Sequence, residues 1–147
     1  MRGGSTVEAS KPAAASARTG RWQGWTLAQW FCVLAGAVLV IRGISVLVTG
    51  PSFALPGAGW HASFHLLSGA LLIAAHARRT LAYRAAIGFA IAYGTVTLAG
   101  IANGHDVFGV IPVGTRDNTI HAVYVAVTLL VIALGSERMP PMRVRRV

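Results

Sequence analysis

Two short stretches of this sequence carry imidazoles at helical spacing. His61, His65 and Ser68 lie four and three residues apart, and Asp117, His121, Tyr124 and Thr128 lie four, three and four apart. On an α-helix each set shares one face. Two such faces turned toward each other would offer His61, His65, Asp117 and His121 to a divalent metal ion. His65 and His121, on different helices, would equally offer the two axial imidazoles of a haem b. His61 and His65 are spaced as in a zinc peptidase, but Ala62 stands where that chemistry needs a glutamate, so metal-dependent proteolysis is not expected. Ser68 could act as a nucleophile only with a base and an oxyanion donor in reach, and no spacing in the chain supplies both. No catalytic motif is present and no enzyme activity is expected.

Every one of these residues also has a plainer reading. His65 and His121 serve as hydrogen-bonding groups between helices. His61 and His105 sit at one membrane surface and His76 at the other, all solvated. Arg42 is the third charged feature, alone in an apolar run. Placing an arginine at mid-membrane costs about 3 kcal/mol on insertion scales, so it needs a partner or water. The expected partner is Asp117, in an ion pair that fixes helix register. The alternatives are a guanidinium that reaches out to the surface or one that holds a ligand.

The elements that position these residues are membrane spans. The 147-residue chain is 54% apolar and only 12% charged, with mean hydropathy +0.60. A soluble domain carries about 25% charged residues. The shortfall lies in four long runs, predicted as spans at about 27–48, 60–77, 83–102 and 117–135. The first, of roughly 22 residues at about 1.5 Å each, covers a hydrocarbon core. Trp22, Trp25 and Trp30 at its start suit an interfacial belt. It is too long for a cleavable signal core and three more spans follow. Residues 49–59, with two prolines and three glycines, and residues 103–116 read as loops. Residues 1–21 and 137–147 read as basic tails, the first disordered. The fold class is therefore all-α, an integral membrane antiparallel four-helix bundle formed by residues 22–136.

Net charge is +9. The basic residues flank apolar spans rather than lining one stripe, which argues against nucleic acid as a partner. Arg2, Lys11, Arg18 and Arg21 precede the first span, Arg78, Arg79 and Arg84 lie between the second and third, and Arg138, Arg143, Arg145 and Arg146 follow the fourth. The other two loops carry only Arg116. Positive residues stay in the cytoplasm, so both termini and the 78–84 turn are expected inside. His65 and His121 then lie one to two turns below the outer surface, at a depth Arg42 also reaches. The single cysteine, Cys32, allows no internal disulfide and reads as a small buried apolar residue. Twelve arginines to one lysine, with abundant Ala, Gly and Val, look like the codon bias of a GC-rich bacterial genome, and the expected location is a bacterial plasma membrane.

Lipid gives helices no hydrophobic reason to associate, so small residues must let them approach. In the third span, Ala85, Gly88, Ala92, Thr95 and Ala99 form such a seam, predicted to pack within the chain, with a dimer interface as the alternative. Gly36 and Gly43 in the first span and Gly69 and Ala70 in the second offer others. An offset of 56 residues superposes His61 on Asp117, His65 on His121 and Ser68 on Tyr124, which suggests two tandem helical hairpins.

Several segments resemble a known family. They are His65-Leu-Leu-Ser-Gly69, Arg78-Arg79, Ala92-Tyr93-Gly94, Gly109-Val-Ile-Pro-Val113 and Asp117-Asn118-Thr-Ile-His121. Together they resemble the bacterial four-span membrane family labelled domain of unknown function 4383, over roughly residues 25–136. The resemblance implies an integral membrane protein without an assigned activity. It marks His65, Gly69, Tyr93, Asp117, Asn118 and His121 as residues expected to matter. Where the second span has Gly69 the fourth has Val125, a departure from symmetry. The leading expectation is a non-enzymatic structural or partner-binding membrane protein with no resident cofactor. Its partners would be lipid, a second copy or another membrane protein. A haem- or metal-binding protein centred on His65 and His121 is the alternative, followed by a small transporter acting as an oligomer.

Overall fold

The computed structural model describes residues 24–104 and 106–136. The expectations for the two tails, Trp22 and His105 fall outside them. Four α-helices make up about three-quarters of the described residues: α1 Leu27–Leu47, α2 Ala58–Ala75, α3 Arg79–Asn103 and α4 Thr115–Ser136. All four are long and apolar enough to cross a membrane. The chain is an all-α, multi-pass membrane protein. Its outward surface fits this reading, because large apolar side chains such as Ile41 and Leu98 stay about two-thirds exposed, at 67% and 70%. Apolar exposure on that scale needs a nonaqueous neighbour.

The helix ends differ from the apolar runs where local chemistry differs from hydropathy. α3 begins at Arg79, four residues before the apolar run, because Arg78 is extended and the following polar residues are adequate helix formers. α2 stops at Ala75, where the His76 ring nitrogen Nδ1 turns back onto the Ile73 carbonyl. α1 starts from a capping box: the Thr26 hydroxyl accepts from the Gln29 N–H, and the Gln29 side chain accepts from the Thr26 N–H at 3.0 Å. The same Gln29 donates to the His76 carbonyl at 2.8 Å and so joins the ends of α1 and α2.

Glycines set the α1–α2 contact. A Cβ on Gly36 would come within 2.8 Å of the Gly69 carbonyl, and a Cβ on Gly69 within 2.7 Å of the Gly36 carbonyl. Gly43 meets the Ala62 carbonyl in the same way. Contacts pair Gln29 with His76, Gly36 with Gly69 and Gly43 with Ala62, so the two helices run in opposite directions. In the second hairpin Tyr83 reaches the Ile132 carbonyl, Tyr93 meets His121, and Gly100 lies against Asn118.

The small-residue seam of α3 lies elsewhere than expected. Gly88, Ala92 and Thr95 are exposed, and nothing lies within 4 Å of a Cβ on Gly88. α3 instead buries Ala82, Ala86, Phe89, Tyr93, Val96, Thr97 and Gly100. The aromatic rings of Phe89 and Tyr93 stack at 4.1 Å between centroids and meet Phe31 and Tyr124, so the helix rotates its larger side chains inward. Aromatic burial and polar satisfaction outweigh close backbone approach on this helix.

The loop over residues 103–116 contains structure the sequence reading lacked. β1 Asp106–Val107 and β2 Ile111–Pro112 pair antiparallel. Phe108 and Gly109 turn the chain at φ 54° and 69°, and the Gly109 N–H donates to the Asp106 carboxylate at 2.6 Å. The Val110 carbonyl accepts from the Gly57 N–H at 3.1 Å, so this hairpin meets the 48–57 loop at the histidine end of the helices.

Candidate functional site

α2 presents His61 and His65 on one face, as their spacing requires. α4 brings His121 to the same place. One ring nitrogen from each of the three lies within 4.8 Å of the others. His61 Nε2 and His65 Nε2 are 2.9 Å apart. The rings of His65 and His121 are 5.5 Å apart by centroid, and those of His61 and His121 5.6 Å. His65 and His121 are buried, and His61 is half-buried rather than solvated.

Tyr93 organises the inner side of this cluster. It is fully buried on α3, with its hydroxyl 3.1 Å from His65 Nδ1 and 2.9 Å from Ser68 Oγ. Ser68 in turn donates to a carbonyl of its own helix, Phe64 at 2.8 Å or His65 at 3.1 Å. The chain of partners runs from imidazole to phenol to hydroxyl to backbone. It is complete in either tautomer of His65. With Nδ1 protonated, every proton finds an acceptor and His65 Nε2 presents a lone pair toward His61. The edge of the Tyr93 ring also packs against His121, at 5.1 Å between centroids.

Two buried atoms in this region have no hydrogen-bond partner: His121 Nδ1 and Asn118 Oδ1. A buried polar atom without a partner is costly. Asn118 sits against Gly100, where any side chain would strike its amide and Val113.

The remaining expected residues fall as follows. Arg42 and Asp117 line one partly open cavity of about 330 Å³ with His61, His65, Pro112 and Val113. Among the described residues they form no ion pair within 4.0 Å. Asp117 is engaged instead at the start of α4, where its carboxylate accepts from the Gly114 N–H at 3.3 Å. A carboxylate in the first turn complements the exposed N–H groups of the helix end, and this local solution is available without any partner from α1. Ser68 has no hydrogen bond to an imidazole, which leaves it without the base a nucleophile needs. Tyr124 stands on the far side of Tyr93, 5.9 Å away by ring centroid. His76 is half-buried against Trp25 and not simply solvated.

This arrangement suits a single ion better than a macrocycle. The three imidazoles and the Tyr93 ring pack directly on one another, His61 stacking on His65 at 4.6 Å and His121 tilted 53° to His65. They leave no flat slot between His65 and His121 for a porphyrin. For a tetrahedral ion with nitrogen ligands at about 2.0–2.1 Å, two ligand atoms stand a little over 3 Å apart. The observed 2.9 Å between His61 and His65 needs only a small adjustment.

The model of the family described as Domain of unknown function (DUF4383) matches residues 49–135. The chain belongs to this family. The match spans α2 to α4 with the loops before α2 and before α4, and so contains His61, His65, Ser68, Tyr93, Asp117, Asn118 and His121. It is narrower than the resemblance, since α1 and Arg42 lie before it. No curated protein and no solved structure matches the chain.

Tyr93 is marked in the sequence by the family resemblance and by no spacing. It carries no helical-spacing relation to any histidine, and it reaches His65 only because α3 crosses behind α2.

Proposed function

We propose that this protein binds a divalent transition-metal ion of the zinc class through His61, His65 and His121. The observation that carries this is the convergence of three imidazole nitrogens within 4.8 Å, two of them on buried histidines and one on a half-buried one. Imidazole is a ligand that zinc and its neighbours favour. Tyr93 supports the reading further. A metal-bound imidazole usually donates its other N–H to an oxygen that fixes its orientation, and His65 Nδ1 has the Tyr93 hydroxyl in that position. The unpartnered nitrogen of His121 is consistent with a ring whose role is not to hydrogen-bond the protein. Asp117 is occupied as a helix cap and is not among the proposed ligands.

The protein sits in a bacterial plasma membrane with both ends in the cytoplasm. Three arginine-rich segments support this orientation. The metal site then lies in the outer half of the membrane, under the two loops that meet through Gly57 and Val110. It is open to the exterior through the cavity beside Arg42.

Elemental analysis of the purified full chain, after equilibration with zinc and removal of the excess, tests this. About one ion per chain is expected, with His65→Ala and His121→Ala each losing it. Less than about 0.1 ion per chain in the wild type overturns it. A purely structural role is the competing reading, favoured by the closed hydrogen-bond chain through Tyr93 and Ser68. It predicts no metal, with both histidine variants depleted from the membrane.

A further inference from the structure

Three imidazoles leave a tetrahedral ion one free position. His61 and His65 line the cavity of about 330 Å³, so an ion they hold faces it. Arg42 lines the same cavity from α1. Among the described residues its guanidinium has no ion pair and no hydrogen-bond acceptor. The acid on the cavity wall, Asp117, is already engaged by Gly114 and the start of α4. Arg42 is exposed on this partly open wall, so its guanidinium is left to water or to an anion that enters. The rest of the wall is largely apolar, with Val46, Pro112 and Val113, and this strengthens any electrostatic contact made inside.

We infer that the cavity binds a phosphate group, with one oxygen on the metal's free position and a second oxygen on Arg42. The guanidinium gives that second oxygen a charge-assisted hydrogen bond, and a free phosphate has a further oxygen for the other arm of the fork. The anion satisfies Arg42 and completes the coordination of the ion together. This inference rests on the metal reading above. The oxyanion has two sources, a free anion from the outer solution or the phosphate of an outer-leaflet phospholipid.

The test uses the full chain loaded with cobalt(II) in a nonionic detergent, because its visible absorption bands change when a ligand joins the metal. One arm adds inorganic phosphate and the other adds phosphatidylglycerol. A saturable band shift in either arm is expected, and the arm that responds identifies the source. Arg42→Gln should weaken that binding by about tenfold or more, the worth of a charge-assisted hydrogen-bonded contact. Arg42→Lys, which keeps the charge and loses the fork, should fall between the two. Cobalt bands that respond in neither arm overturn the oxyanion inference and leave the metal reading standing. So does a response that is unchanged in both Arg42 variants. Absence of cobalt bands in the wild type overturns the metal reading, and this inference with it.

Discussion

At the scale of single residues, Tyr93 and Asp117 changed meaning most. Tyr93 orients His65 through a hydroxyl that is itself held by Ser68. Tyr93→Phe keeps the ring and its stacking on Phe89 while deleting that oxygen. It should weaken zinc binding by about 10–100-fold, the usual cost of losing a partner behind a metal ligand. A competition titration against a chromophoric chelator measures this, and unchanged affinity would remove Tyr93 from the site. Asp117 was read as the counter-ion of Arg42, and it caps α4 instead. In metal-free protein, Arg42→Ala and Asp117→Asn should therefore act independently. Their coupling by thermal unfolding should stay below about 0.5 kcal/mol, whereas a direct ion pair would couple them more strongly.

At the scale of elements, the glycines of α1–α2 and those of α3 look alike in sequence and differ in consequence. Gly69 faces the Gly36 carbonyl at van der Waals limit, so Gly69→Val must push the helices apart. A loss of at least about 1–3 kcal/mol is expected, the scale of overpacking. Gly88→Val on α3 meets open space and should leave stability within about 0.5 kcal/mol. Unfolding of both variants in the same detergent decides whether backbone approach or merely small size matters. The pairing that makes Gly69 tight is visible only once α1 and α2 are docked. The start of α1, by contrast, is written locally: Thr26 and Gln29 form a capping box three residues apart. Thr26→Ala should cost about 1 kcal/mol.

At the scale of the whole molecule, the two loops that lack basic clusters meet at one end, over the histidines, while Arg78 and Arg79 mark the other. Orientation is testable with single cysteines in a Cys32→Ala background. Ser52→Cys, in the 48–57 loop, should react with a membrane-impermeant maleimide on intact cells. Thr80→Cys, at the start of α3, should react only after permeabilisation. The reverse pattern would turn the molecule over and place the proposed metal site toward the cytoplasm.

Much of this protein could be read from its sequence alone. Length and hydropathy are properties of contiguous residues, so four helices able to cross a membrane were legible, and so was the family. The spacing of His61 with His65, and of Asp117 with His121, is equally local, so each pair could be assigned to a helix face. How each helix is turned about its own axis was decided only in three dimensions. A soluble helix announces its buried face by being apolar on one side. A helix in lipid is apolar all round, because lipid and protein interior are alike to a leucine. That is why small residue size points the α3 seam inward although Phe89 and Tyr93 occupy the interior, and why position along the span puts His61 at the surface although it is half-buried. The convergence of His61, His65 and His121 depends on α2 and α4 meeting at one depth. Residues 56 positions apart reach that contact through the packing of the bundle, which no local pattern encodes.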